Sequence, residues 1–166
     1  DAPRRQRVSY LTIAFAAALG ARLRRREVAL AAVPWLDDDQ RAQLAQRENV
    51  PDALLAMIAA ELAQALRAGT LDSILYTQLE ERLHAMSSIQ AGCERILTTP
   101  LPFAYTLAYA FFGLDQLGEE MEDPFGLEPN DLPLDALVRT IEIDQLDALG
   151  ERPLPEPLLP QGYLLQ

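Results

Sequence analysis

The stretch Leu71-Asp72-Ser73-Ile74-Leu75-Tyr76-Thr77-Gln78-Leu79, carried on through Leu83, Met86, Gln90 and Cys93 to Leu97, decides the fold. Apolar side chains recur there every three or four residues, the period that brings them to one face of an α-helix. Only Gln90 interrupts the row. Thr70 or Asp72 can open the helix as its cap. Thr98-Thr99-Pro100-Leu101-Pro102 closes it, because proline lacks an N–H and pushes the residue before it out of the helical region. A stripe this regular is expected to be buried core, with Ile74 packed beside Leu71 and Leu75.

Upstream, Val8, Leu11, Phe15, Leu19 and Leu23 form a second stripe and predict a helix from about Gln6 to Glu27. Val33-Pro34-Trp35 reads as a turn, after which Asp37 or Asp38 can cap a short polar helix ending near Glu48. Asn49 is placed to cap a helix from Pro51 to Ala68, with Pro51 in the first turn, where its missing N–H is harmless. That helix should bury Leu54, Leu55, Ile58, Leu62 and Leu66, with Gly69 just past its end.

Downstream, Phe103 to Met121 is again helical in pattern, aromatic first and then acidic. Asp123-Pro124-Phe125-Gly126 ends it. Asp131 can cap a last helix that has Pro133 in its first turn and runs to Leu149, before Gly150. Residues 1–150 therefore read as one all-α domain, a helical bundle with a long central helix. Residues 151–166 carry Pro153, Pro155, Pro157 and Pro160 and read as an extended C-terminal arm that frays or packs on a neighbour.

Composition agrees. Apolar residues make up 49% of the chain, enough for a packed core, and the Ala and Leu bias favours helix. The net charge of -11 disfavours a nucleic-acid partner, since phosphates would be repelled. All 14 basic residues are arginines. Those around the first helix (Arg4, Arg5, Arg7, Arg22, Arg24, Arg25 and Arg26) are expected to be its solvated ends. Asp1-Ala2-Pro3, without an initiator Met or signal-peptide pattern, suggests a piece of something longer. The longest apolar runs, Val8–Ala21 and Leu101–Leu114, fall short of the about 20 residues a membrane span needs.

Little catalytic chemistry is on offer. One cysteine, Cys93, excludes an internal disulfide, and one histidine, His84, removes most routes to zinc or imidazole catalysis. His84 has Ser87 and Ser88 at helical spacing, but no oxyanion device accompanies them. No enzyme is expected. The richest polar segment runs from Glu119 to Asp131. Its carboxylates and loop carbonyls suit a hard cation, but it lacks the alternation and the glycine of an EF-hand loop. The alternative is that Asp131 caps a helix and the glutamates are solvated.

Several segments in order resemble the bestrophin family of ion channels. Gly92-Cys93-Glu94-Arg95 followed by Thr99-Pro100-Leu101-Pro102-Phe103-Ala104-Tyr105-Thr106 is similar to one family segment. Glu122-Asp123-Pro124-Phe125-Gly126 is similar to the next, then Asn130-Asp131-Leu132-Pro133-Leu134-Asp135 and Arg139-Thr140-Ile141-Glu142. The resemblance runs from about Val8 to Pro155, in the manner of prokaryotic homologues. It departs at one point. The family carries a membrane hairpin between the counterparts of Leu107 and Ala108, and further spans precede the counterpart of Val8.

The resemblance implies the cytoplasmic part of a homopentameric channel for small inorganic ions, anions or cations, resident in the cell membrane through spans this chain lacks. It implies a constriction built from one apolar side chain per subunit, here Ile74, and a second constriction in the absent spans. Five isoleucines facing an axis would make a narrow, easily dewetted aperture. Cys93, Glu94, Arg95, Pro100, Pro102, Pro124, Phe125, Gly126 and Asn130 are implied as structural motif residues. The acidic loop corresponds to a calcium clasp of animal members, with Glu120 and Asp123 contributing carbonyls and Glu128 and Asp131 side chains. The family's acidic run is replaced here by Leu127-Glu128-Pro129-Asn130-Asp131, and its N-terminal ligand segment is missing. Set against the channel reading is a soluble interaction or scaffold protein that keeps the fold without conducting.

Overall fold

The computed structural model describes residues 2–99, 124–127 and 131–159. Among these the chain is helical, without strands: α1 (Ala2–Leu23), α2 (Val28–Ala32), a 3-10 turn (Val33–Trp35), α3 (Asp38–Leu44), α4 (Val50–Arg67), α5 (Ser73–Thr98) and α6 (Leu134–Leu149). The expected helix over Phe103–Met121 lies outside the described residues.

Local chemistry explains most boundaries. Asp37 closes a capping box on α3, its carboxylate accepting from the Gln40 N–H at 2.8 Å while the Asp37 N–H donates to Gln40 Oε1 at 3.1 Å. Asn49 Oδ1 accepts from the Asp52 N–H at 3.2 Å and starts α4, with Pro51 in the first turn. Gly69 (φ 67°) and Gly150 (φ 76°) end α4 and α6 in the left-handed conformation that only glycine adopts without strain. Four boundaries differ from expectation: α1 starts at Ala2, not near Gln6, α3 stops at Leu44, not near Glu48, and two more have a local cause. The last turn of α1 is closed by Arg25, a non-glycine residue at φ 53°, so α1 stops at Leu23 where no glycine marks the end. The residue preceding α6 is Pro133, which offers no side-chain cap, and Asp131 is not its N-cap.

The main core joins Leu11, Ala14, Phe15 and Ala18 of α1 to Leu54, Leu55, Ile58 and Leu62 of α4, with Leu36 and Leu44 closing one end. A smaller cluster gathers Leu23, Phe125 and Leu134, with Cys93 and Leu97 partly buried against it. The helix at the centre is α1, which packs against α2, α4, α5 and α6. Gly20 lets α6 approach closely, since a Cβ there would stand 3.2 Å from Val138 Cγ2.

The longest helix, α5, is not the buried one. The only residue it buries is Gln90, the one polar interruption of its stripe. Leu75 and Leu79 are 52% and 39% exposed, while Leu71, Leu83 and Met86 lie partly buried against the main core. Periodicity identifies a face, and burial also requires a neighbour to cover it. The arm is tied down at its start by Glu151, whose carboxylate accepts from the Tyr10 hydroxyl at 2.8 Å and from Gln6 Nε2 at 2.8 Å. Further along, Leu158 and Leu159 are exposed.

Candidate functional site

The start of α5 is a rigid turn that presents an apolar side chain to solvent. Asp72 Oδ1 accepts from the Ile74 and Leu75 N–H groups at 2.8 and 3.4 Å, fixing the first turn. Before it, the N–H groups of Thr70 and Leu71 both bond the Ala65 carbonyl across the left-handed Gly69. Ile74 is 69% exposed, so it is not the core residue that its neighbours Leu71 and Leu75 suggested. At about 100° per residue, Ile89 and Ile96 lie about 60° and about 40° round the helix from Ile74. They are 63% and 53% exposed. Three isoleucines thus share an uncovered face, turned away from Gln90.

Polar contacts hold α5 from the other side. Glu94 Oε1 is approached by Arg22 Nε at 3.0 Å, Gln90 Nε2 at 3.1 Å and Asn49 Nδ2 at 3.4 Å, which joins α1, the start of α4 and α5 in one knot. Gln90 Nε2 also reaches Asn49 Oδ1 at 3.3 Å, while its own buried oxygen accepts no hydrogen bond from the described residues. Glu61, on α4 and 9% exposed, faces Arg7 Nη1 at 2.9 Å and Arg4 Nε at 3.4 Å. Its hydrogen bond and its charge push the Arg7 guanidinium above its ordinary value. Arg24, with a side chain only 4% exposed, pairs with Asp135 of α6, as does Arg26 at 3.2 Å.

These arginines are therefore not solvated ends of α1, as sequence reading expected. Five of them, Arg4, Arg7, Arg22, Arg24 and Arg26, cross to other elements. One signal for Glu61 was present: it falls on the spacing of Leu54, Ile58 and Ala65, a lone carboxylate in an otherwise buried row.

Of the motif residues, Phe125 is 3% exposed and anchors the smaller core, Cys93 lies partly buried against it, and Gly126 and Pro124 flank it. Arg95 is exposed on α5. Pro100, Pro102, Glu120, Asp123, Glu128 and Asn130 lie outside the described residues. Asp131 is half-buried. Among the described residues no group of three or more metal-ligating side chains converges, and no helix is long and apolar enough to cross a membrane. His84, Ser87 and Ser88 are all exposed on α5.

The family model described as Bacterial/Fungal Bestrophin protein matches residues 1–108 and 106–147, two segments that meet where the resemblance departs from its family. A voltage-dependent anion channel-forming protein of Salmonella typhi is 37% identical over 182 residues, covering 90% of this chain and 60% of that protein. One from Mesorhizobium japonicum is 41% identical over 148 residues, covering 70% and 48%. The crystal structure of a bacterial bestrophin homologue from Klebsiella pneumoniae superposes with a TM-score of 0.84 at 29% identity, covering 92% of this chain and 69% of that one. The chain thus spans about 60% of the Salmonella relative's length. Those 182 aligned positions fall on 90% of 166 residues, about 149, so about 33 positions inside the aligned stretch have no counterpart here.

Proposed function

The chain belongs to the bacterial and fungal bestrophin family, and on that premise we propose that it is an ion-channel subunit of the bestrophin type, lining the cytoplasmic end of a homopentameric pore. The observation that carries the reading is Ile74, held in a capped helical turn and 69% exposed on a face that no described residue covers. Five such side chains around an axis would form the outer aperture, narrow enough to resist wetting. The relatives are named for anions, and small anions are the proposed cargo, with cations the alternative.

Membrane attachment belongs to spans absent from this chain. Were the about 33 unmatched positions of the Salmonella relative to fall between Leu107 and Ala108, as the family correspondence places them, they and the apolar run Leu101–Leu114 would give about 47, enough for two spans of about 20 and a turn. The membrane constriction belongs to those spans.

Calcium at the Glu120–Asp131 loop is a lesser part of the proposal, resting on the same family correspondence for Glu120, Asp123, Glu128 and Asp131. Titration calorimetry that shows no heat up to millimolar calcium removes it.

A non-conducting scaffold with the same fold is favoured by one observation, the lack of a spanning helix among the described residues. The two readings part on assembly and conduction. Native mass spectrometry of the full chain should give five copies. Ile74→Cys in a Cys93→Ser background should cross-link between copies under mild oxidation, and Ile74→Ala should raise conductance once the membrane spans are restored. A monomer, with no cross-link through position 74, sinks the aperture.

A further inference from the structure

A helix of 26 residues that fully buries only an amide, and packs Tyr76, Leu83, Met86, Cys93 and Leu97 only partly buried against the two cores, is not oriented by apolar burial alone. Its two ends are instead tied to α1. At the Ile74 end, Thr70 Oγ1 accepts from Arg4 Nη1 at 3.1 Å and donates to the Ala65 carbonyl at 3.1 Å. Arg4 is itself held against Glu61, which grips Arg7 with its other oxygen. At the far end, Arg22 meets Glu94, which also takes the bonds from Gln90 and Asn49. Arg4 and Arg22 are about 27 Å apart along α1, and Ser73 and Glu94 are about 32 Å apart along α5. The first helix is a strut with a latch at each end of the helix it carries.

We propose that α5 is set by these two polar latches, and that Glu61 and Glu94 are positioning residues, Glu61 fixing the turn that presents Ile74 and Glu94 the opposite end. The functional meaning rests on Ile74 being the aperture, but the mechanical claim does not. The latches are unequal. The Arg4–Glu61 pair (side chains 23% and 12% exposed) is no more open than Arg22–Glu94 (33% and 24%), but the last link of the first latch, the Arg4–Thr70 bond, is exposed to water, whereas Gln90 at the far end is 5% exposed. The Ile74 end is therefore the one that opens first, by breaking a few hydrogen bonds and leaving the α1–α4 core packed.

Amide hydrogen exchange, read by mass spectrometry on the full chain, tests this. Glu61→Gln and Thr70→Val should each speed exchange over residues 69–76 by about three- to tenfold, with residues 134–149 unchanged. Thr70→Ser, which restores the hydroxyl, should return wild-type rates. Glu94→Gln should act on residues 90–97 and leave 69–76 alone. Rates over 69–76 that stay at wild type in Thr70→Val overturn the proposal, as does a uniform rise along the whole chain, which would mark Glu61 as a contributor to global stability only. Thr70 lies at the surface, so its variants fold even if Glu61→Gln does not. A chain that fails to assemble or to conduct, with the exchange pattern as expected, refutes the aperture and leaves the latches standing.

Discussion

Replacing Glu94 by alanine removes the acceptor at which three helical elements meet, and the structure sets the size of the loss. Arg22 and Glu94 side chains are 33% and 24% exposed, so solvent screening limits their pairing to about 1 kcal/mol at most. The bond from Gln90, 5% exposed, runs to a charged acceptor in an enclosed site and contributes about 1.5 kcal/mol. Asn49, at 3.4 Å, adds about 0.5 kcal/mol or less. Glu94→Ala should therefore destabilise the chain by about 2–3 kcal/mol. Glu94→Gln, which keeps the shape and an acceptor, should lose about 1 kcal/mol. Equilibrium urea unfolding followed by circular dichroism reads both. A cycle with Arg22→Ala should return a coupling of about 0.5–1 kcal/mol. A loss below about 0.5 kcal/mol for Glu94→Ala would mean that the knot is a by-product of packing, and the reasoning would fail.

Leu54, fully buried where α1 and α4 meet, should cost about 2–5 kcal/mol when cut to alanine, measured the same way. Gly69→Ala meets open space yet must hold φ at 67°, so a loss of about 1 kcal/mol from backbone strain alone is expected in thermal or urea unfolding. Burial, and then the bond to Glu151, pushes the Tyr10 phenol above its usual value near 10. The stability this gives is fully present below the unfolded value and is lost as pH rises through the folded one. Tyr10→Phe should therefore flatten the alkaline fall in unfolding midpoint between about pH 9 and 11. It should not abolish it, since hydrogen bonding to Glu80 raises Tyr76 in the same direction.

Much of this fold could be read from the sequence because its helix ends are written in short-range chemistry. Asn49, Asp37, Asp72, Gly69 and Gly150 each stand where a cap or a left-handed turn demands them. The end of α1 could not be read, because Arg25 takes a left-handed conformation that only its surroundings dictate. The stripe of α5 misled for a different reason. Spacing marks a face, whereas coverage depends on tertiary neighbours, and the described chain leaves Leu75, Leu79 and the isoleucine face only partly covered. The arginines were hidden because their partners Glu61, Glu94 and Asp135 are 54 to 111 positions away, beyond any local pattern. The candidate aperture came from family resemblance, and geometry then removed its competitor, a buried Ile74.

The uncovered face of α5 also governs how this protein must be measured. If other copies cover Ile74, Ile89 and Ile96, folding and association share one equilibrium, and stability becomes a function of protomer concentration. A tenfold dilution is worth about 1.4 kcal/mol per association step. For a pentamer that unfolds as it dissociates, with four such steps among five chains, that is about 1.1 kcal/mol per chain. An unfolding midpoint that moves with dilution would count partners from a single optical signal, and variants of this chain can be ranked only at one fixed concentration.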